Sequence, residues 1–284
     1  MRNIFILLGL LIGFSNQAQD LKAYQIYNTD GEAISFASMA NELKDADVVL
    51  FGELHNNPIC HWLQHELSMA LYDSNRTMVL GAEMFEADNQ AALNLYLKDS
   101  IDAKGLDTLA RLWPNYKTDY AMLVDFAKSN QLDFIATNIP RFLARQVFKQ
   151  GLESLDSLSD SLKAWIAPLP IPYDANLPGY QAMLEMMGGH GGENLPKAQA
   201  IKDATMAHFI VLNLPEDGLF IHYNGDYHSK DFEGINWYLN QYREGLNIKT
   251  ISTQTQERVS PADSASLGHA DFTIVVDEQV TTSY

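Results

Sequence analysis

Two segments of this chain place acidic and imidazole side chains directly after an apolar run. In VVLFGELHNN, Glu53 and His55 follow four apolar residues and a glycine, and in LFIHYNGDYH, Asp226 and His228 follow a similar run. Carboxylates and imidazoles are the groups that most often transfer protons or bind metal ions near neutral pH. One such pair is most often a turn or a helix cap, but its recurrence indicates a shared site.

Two further apolar runs also end in polar side chains. VLGAEMFE carries Glu83, and FIATNIPR carries Asn138 and Arg141. The apolar runs alternate with helix-like segments, and this pattern predicts a parallel sheet covered by helices on both faces. Ligands of such sheets bind at the carboxyl ends of the strands. We therefore expect these polar groups to meet at one edge of the sheet.

The predicted fold class is α/β: a mostly parallel sheet flanked by helices, with a smaller helical cap domain. One domain is expected over 19–284, with helical insertions at about 86–118 and 141–195. Strands are predicted in a peripheral hairpin over 21–36 and in the core over 48–51, 77–83, 132–137, 219–224, 247–253 and 272–278. Helices are predicted over 38–44, 58–72, 120–129, 141–151, 155–165, 196–212 and 237–244, with others reaching about 112.

Two pairs of helical residues add candidates for the same edge. His61 and His65 are one turn apart, a spacing that suits two metal ligands. We expect His61 to face the cleft and His65 to face solvent. Gln199 and Asp203 also share one helix face. They are either a solvated polar pair, or Asp203 orients a histidine or a metal-bound water.

The segment YQAMLEMMGGHGGEN contains two candidate ligands for haem iron, Tyr180 and His190. Tyrosine, histidine and methionine all serve as axial ligands of haem, and methionine-rich surfaces adapt to flat apolar ligands. The alternative is the end of a core helix followed by a glycine-rich loop. The residues alone leave both open.

The composition indicates a folded chain that does not bind nucleic acid. The 284 residues are 46% hydrophobic, enough for a substantial core. The net charge of −17 would repel phosphate backbones. Cys60 is the only cysteine, so no internal disulfide can form and stability must come from packing.

The first 18 residues have the features of a secretory signal. Arg2 precedes an apolar run over 4–14, which is shorter than a membrane span needs. No cysteine stands near the expected cleavage site at Ala18, so a lipid anchor is not expected. An exported protein, periplasmic or secreted, is therefore predicted.

Four segments resemble, in order and spacing, the ChaN-like haem-binding family. They are FGELHNNPICHWLQ, GAEMFEADNQAALNLYL, YAMLVDFAKSNQLDFIATNIPRFLARQVFKQGL and KAQAIKDATMAHFI, and the resemblance covers about 34–250. The Gly-x-x-His signatures that end at His55 and His228, with Glu83 between them, are similar to those of the wider superfamily. That superfamily includes Tiki-type metal-dependent proteases and erythromycin-esterase-like proteins.

The resemblance implies an exported bacterial protein that binds haem and takes part in haem or iron acquisition. It implies haem as the cofactor, a haem receptor or transporter component as partner, and a possible homodimer that stacks haems through a tyrosine. Tyr180 and His190 are the candidates for the axial ligand.

The same resemblance implies a polar cleft and an alternative function. The residues that match the superfamily positions are Glu53, His55, His61, Glu83, Gln199, Asp203 and His228, and Asn138 joins them as a cleft residue. His55, Glu83 and His228 could hold a divalent metal ion with an open position. With Glu53 as general base, the protein would then be a metal-dependent hydrolase, peptidase-like or esterase-like. Whether it is an enzyme stays open at this point.

Overall fold

The computed structural model describes residues 21–72, 76–186 and 192–284, and the strands of these residues form one sheet. The strands are β1 (Tyr24–Asn28), β2 (Ala33–Ile34), β3 (Val48–Glu53), β4 (Met78–Glu86), β5 (Phe134–Asn138), β6 (Leu219–Gly225), β7 (Ile248–Gln256) and β8 (Phe272–Asp277). Their order across the sheet is β2-β1-β8-β7-β3-β6-β4-β5. The predicted α/β class is confirmed.

The helices lie between the strands. They are α1 (Phe36–Leu43), α2 (Pro58–Tyr72), α3 (Gln90–Leu97), α4 (Ala103–Leu109), α5 (Ala121–Ser129), α6 (Arg141–Gln150), α7 (Asp160–Lys163), α8 (Pro178–Met186), α9 (Asn194–Asn213) and α10 (Ile235–Tyr242). A π-helical turn over Tyr116–Tyr120 precedes α5. None of the described helices is long and apolar enough to cross a bilayer.

Six strands, β3 to β8, are mutually parallel, and β1 joins β8 antiparallel. The chain runs from β3 through α2 to β4, yet these two strands are not neighbours, because β6 is hydrogen-bonded between them. The carboxyl ends of β3, β6 and β4 therefore lie side by side. Strand β6, which comes late in the sequence, thus lies between two strands that come early in it.

Both faces of the sheet are buried, which explains why its strands are continuously apolar. Val49 and Phe51 point into a core shared with α1 to α5, whereas Val48 and Leu50 point into a second core shared with α6, α8, α9 and α10. Successive residues of a strand face opposite sides, so both sets are removed from water. Each fully buried side chain of this size contributes about 1.5–3 kcal/mol.

The region predicted as a helical cap packs directly on the sheet. Leu143 of α6 and Tyr180 of α8 belong to the same apolar cluster as Leu50 and Phe220 of the strands. Helix α9 lies between α6 and α10, and it is buried around most of its circumference. Because neighbouring helices cover α9, even its polar residue Asp203 is only 1% exposed.

The helix predicted over 155–165 is wrong. The structure has a 3₁₀ turn at Leu152–Leu155 and only the four-residue α7. Serine and aspartate interrupt the intervening stretch, and their side chains compete with the helical backbone for hydrogen bonds. Other differences concern the ends of elements. Strand β4 continues to Glu86, and α9 begins two residues before Pro196. Proline is tolerated in this first turn because the first four backbone N–H groups of a helix have no partner within the helix.

Candidate functional site

The polar groups at the carboxyl ends of β3, β4 and β6 form one cluster. Glu53 ends β3, Glu83 lies in β4, and His228 follows β6 in a 3₁₀ turn. A Cβ atom placed on Gly225 would lie 2.7 Å from His55 Nε2 and 3.4 Å from Glu83 Oε2. The two halves of the cluster therefore meet at the glycine that ends β6, and no side chain larger than hydrogen fits there without displacing them.

The first half is a carboxylate–imidazole pair. His55 Nδ1 lies 2.8 Å from Glu53 Oε1, and Glu53 also accepts hydrogen bonds from the Tyr120 hydroxyl at 2.7 Å and from Gln64 Nε2 at 2.5 Å. Burial alone would lower the pKa of His55, but the hydrogen bond to Glu53 and the charge of Glu83 raise it above its ordinary value. The His55 side chain is 33% exposed, so this imidazole is open to solvent.

The turn between β3 and α2 fixes the position of His55. Asn57 Oδ1 accepts hydrogen bonds from the backbone N–H groups of Ile59 and Cys60 and so caps α2. His61 is buried one turn into the helix, with Nε2 3.1 Å from the His55 carbonyl oxygen. His61 was expected to face the cleft, but it is buried beneath the cleft and contacts the backbone of the turn instead. His65 is half-buried and packs edge-on against a phenylalanine of α5.

The second half is an imidazole held between two carboxylates. His228 Nε2 lies 3.1 Å from Glu83 Oε1, and Nδ1 lies 2.5 Å from Asp203 Oδ1 and 2.9 Å from Gln199 Nε2. Glu83 Oε2 also accepts a hydrogen bond from the backbone N–H of Gly225 at 2.7 Å. Helix α9 and the end of β6 thus supply groups that are far apart in the sequence.

The charges of this second half favour an imidazolium. Burial would lower the pKa of His228, but the facing carboxylates of Glu83 and Asp203 outweigh it and raise the pKa to about 10. Burial would raise the pKa of Glu83, yet the His228 charge holds it well below its ordinary range. For Asp203, burial outweighs the same charge and raises the pKa. At neutral pH, His228 therefore carries two N–H donors between two acceptors.

This geometry does not support the predicted metal site. Within the described ranges, no three His, Cys, Asp or Glu side chains are arranged to hold a metal ion. His55, Glu83 and His228 do come together, but a histidine ligand must be neutral with a free lone pair. Both ring nitrogens of His228 face carboxylates, so His228 would have to lose a proton and turn a lone pair from Glu83 to a metal ion before it could serve as a ligand.

The other residues at strand ends have structural partners. Asn138 Nδ2 donates to the Glu83 carbonyl oxygen at 3.0 Å, which links β5 to β4, while its Oδ1 is buried without a partner in the described part of the chain. Asp226 points away from the cluster and accepts hydrogen bonds from the Thr253 N–H at 3.3 Å and from Gln254 Nε2 at 3.1 Å.

The candidate haem ligands lie apart from this cluster or outside the described residues. Tyr180 is 4% exposed, stacks on Tyr173 at 5.6 Å, and its hydroxyl has no hydrogen-bond partner among the described residues. The adjoining cavity holds about 20 Å³, enough for roughly one water. Burial and then the Asp203 charge raise the pKa of Tyr180, so its hydroxyl keeps its proton. His190 lies outside the described residues.

Two residues that hold Glu53 were not identified from the sequence. Gln64 stands three positions after His61 on α2, a spacing that could have indicated it. Tyr120 lies 67 residues from Glu53 in a π-helical turn, and no local pattern connects the two. Burial and the neighbouring Glu53 raise the pKa of Tyr120, so the hydroxyl stays a donor.

Comparison with known families and structures bears on the whole fold. The family model described as haem-binding uptake, Tiki superfamily, ChaN matches residues 39–239. A comparison with curated proteins gave no match. A solved structure of ChaN from Campylobacter jejuni, described as showing cofacial haem binding, is 19% identical with a TM-score of 0.67, covering 89% of this chain and 97% of that one. At this identity the likeness shows a shared fold.

Two other solved structures are more distant. A variant of erythromycin esterase EreC in its open conformation is 12% identical with a TM-score of 0.47, covering 90% of this chain and 83% of that one. RRSP, a MARTX toxin effector domain from Vibrio vulnificus, is 17% identical with a TM-score of 0.45, covering 88% of this chain and 40% of that one. Similarity this low carries no functional conclusion.

Proposed function

Because this chain belongs to the ChaN family of haem-binding uptake proteins in the Tiki superfamily, we propose that it is an exported haem-binding protein of a haem or iron acquisition system. The observation that carries the proposal is the extent of the family match, residues 39–239. This range contains both halves of the polar cluster and the helices α6, α8 and α9 that pack beside it. The cofacial haem binding described for ChaN of Campylobacter jejuni supports the same ligand.

Export and partners extend the proposal. The signal-like residues 1–18, which lie outside the described residues, would direct the chain to the periplasm or the medium. Haem bound there would pass to a receptor or transporter component. The family resemblance implies haems stacked between two copies of the protein, so a homodimer is part of the proposal.

The identity of the axial ligand remains a prediction. Tyrosine binds ferric haem through its oxygen, and the unpartnered hydroxyl of Tyr180 has the chemistry of such a ligand. However, a cavity of about 20 Å³ does not admit a porphyrin, so haem would reach Tyr180 only if the residues around that cavity moved. His190 is the alternative ligand.

A haem titration tests the proposal. Haemin added to residues 19–284 should produce a Soret band that saturates with the protein, which an unrelated protein of similar acidity should not produce. Substitution of the axial residue, Y180F or H190A, should shift that band, whereas Y227F, a change at an exposed tyrosine near the same cavity, should not. Haemin binding no stronger than to the unrelated acidic protein would end the proposal.

The hydrolase alternative gains no supporting observation. Metal ligation by His55, Glu83 and His228, with Glu53 as general base, remains a prediction that would require His228 to lose a proton. Elemental analysis of the purified protein at neutral pH measures it directly. Stoichiometric metal that disappears in both H55A and H228A would support that reading.

A further inference from the structure

Helix α8 covers the part of α9 that holds His228. Tyr180 and Met183 of α8 line one side of the cavity of about 20 Å³, and Gln199 and Asp203 of α9 line another. These two α9 residues are the ones whose side chains contact His228. Asp203 is only 1% exposed while α8 is in place. Movement of α8 would therefore open a path from solvent to this carboxylate.

The anchorage of α8 is weak compared with that of the helix beneath it. Tyr180 is the one buried side chain of Pro178–Met186, and the other eight residues are half-buried or exposed. Met186, at the end of the helix, is 69% exposed. Helix α9, in contrast, has ten buried residues. Segments with few buried contacts open locally at a lower free-energy cost than the rest of a fold, so α8 should open before α9 does.

The single buried side chain of α8 is itself incompletely paired. The hydroxyl of Tyr180 has no hydrogen-bond partner among the described residues. Burial of an unpaired hydroxyl costs free energy, which offsets part of the gain from burying the aromatic ring. The closed position of α8 is therefore stabilised less than the burial of a tyrosine would suggest.

One carboxylate ties the start of α8 to the opposite side of the cavity. Glu233, which lies shortly before α10, accepts a hydrogen bond from the Gly179 N–H at 2.8 Å through Oε2. The first N–H groups of a helix lack partners within the helix, and the helix dipole favours a negative charge there. A Cβ atom on Gly179 would lie 2.6 Å from the same oxygen, so glycine permits this approach.

The turn before α8 can serve as a hinge. Residues 174–176 are exposed, so a change in their backbone would not disturb the core. Gln181 Nε2 donates to the Ala175 carbonyl oxygen at 2.6 Å, which ties the turn to the first part of the helix. The helix would thus move as one unit about a short exposed segment, as lids over ligand sites do.

We propose that α8 is a lid, that the hydrogen bond between Glu233 and Gly179 is its latch, and that its opening uncovers Tyr180 together with Gln199 and Asp203. The closed cavity has room for roughly one water, whereas the open form would present a larger, cryptic ligand site. The role of the lid in ligand entry rests on the proposed function, because a ligand of the size of haem could contact Tyr180 only in the open form.

Amide hydrogen exchange of residues 19–284, followed by mass spectrometry, tests the lid without any ligand. In the wild type, the amides of α8 should exchange faster than those of α9, at rates that low urea concentrations hardly change, because local opening exposes little surface. E233A should accelerate exchange in α8 about 10-fold or more and leave α9 unchanged, since a hydrogen bond to a charged group is lost. Unchanged α9 amides also show that the variant is folded.

Two further variants serve as controls. E185A removes the same charge from an exposed residue of α8 that does not line the cavity, and its exchange should match the wild type within about threefold. E233Q keeps an oxygen that can accept the Gly179 N–H, so its exchange should lie between those of the wild type and E233A.

Stopped-flow measurement of haemin binding tests the role of the lid in entry. If the open form alone binds, E233A should raise the association rate constant by about the factor by which it accelerates exchange in α8, and E185A should not change it.

The failure of the lid differs from the failure of the proposed function. If α8 and α9 exchange equally slowly in the wild type, or if E233A exchanges as E185A does, α8 is not a lid and the haem-binding function stands. Faster exchange in E233A without faster haemin association would overturn the role of α8 in entry, again with the proposed function intact. Absence of haemin binding to the wild type would overturn the proposed function, and with it the role in entry, whereas the exchange data would still decide whether α8 opens.

Discussion

Replacing His228 by glutamine should destabilise the protein strongly at pH 6 and much less at pH 9.5. The imidazolium lies between Glu83 and Asp203, at 3.1 Å and 2.5 Å. H228Q removes the positive charge and leaves two buried carboxylates facing each other. Removing one partner of a buried ion pair costs about 3–5 kcal/mol.

The pKa shift of His228 gives a second value for the stability that this imidazolium contributes. It rises from 6.5 to about 10 on folding. At about 1.4 kcal/mol for each tenfold change, this difference corresponds to roughly 4–5 kcal/mol of stability. Because the folded-state pKa is raised, this stability is fully present below pH 6.5 and is lost as the pH rises through about 10.

The contribution of Glu83 to stability depends on pH in the opposite direction. The pKa of Glu83 is lowered on folding, so its contribution is present above its ordinary value of 4.5 and is lost as the pH falls further. The wild-type contribution of these groups should therefore be greatest between about pH 4.5 and 6.5.

Urea unfolding of the wild type and H228Q at pH 6 and pH 9.5 measures the effect. We expect H228Q to lose about 3–5 kcal/mol at pH 6 and about 1–2 kcal/mol at pH 9.5, where the wild type has lost most of the advantage. The matched control is H269Q, because His269 pairs with Asp231 at 2.5 Å on the surface, where the side chains are 35% and 44% exposed. An exposed pair contributes at most about 1 kcal/mol. A loss in H228Q no larger than in H269Q, or one equal at both pH values, would refute a buried imidazolium.

Three further measurements address neighbouring residues. The Cys60 thiol, whose pKa burial raises to about 12, should resist thiol reagents at pH 8 in the folded protein and react fully in urea; rapid labelling of the native protein would contradict its burial. Y120F removes the 2.7 Å donor to Glu53 and should cost about 1–3 kcal/mol in urea unfolding, and a loss below about 0.5 kcal/mol would show that the bond does not stabilise the fold. G225A places a Cβ 2.7 Å from His55 Nε2, so the ring must move away from Glu53 and the pKa of His55 should fall in an NMR titration; an unchanged titration would mean that the hydrogen bond survives.

The fold was predictable to the extent that its signals are local. The apolar runs of β3 and β6 predict buried strands because a strand covered on both faces has no polar side. Helix α2 was predicted over 58–72 and is observed at Pro58–Tyr72, where the side chain of Asn57 caps its first turn. The helix predicted over 155–165 is interrupted because serines and aspartates in this stretch compete with the helical backbone for hydrogen bonds.

The sequence predicted that these polar side chains lie near one another, but it did not predict the contacts between them. Glu83, Asp203 and His228 were identified as candidates, yet the spacing of residues does not tell a metal ligand from an imidazolium held by two carboxylates. The distinction depends on the two distances from His228 to its neighbours and on their burial, and these exist only in the folded chain.

The sequence by itself determined that this protein has a parallel α/β core and that polar groups follow its strands, because both follow from the alternation of residue types along short segments. Only the tertiary structure decided that β6 lies between β3 and β4. It likewise decided that the Tyr120 hydroxyl reaches Glu53 and that Asp203 of α9 lies beside His228. Strand order and contacts between helices depend on packing between segments that are far apart in the sequence, and local residue patterns do not specify which distant segments pack together.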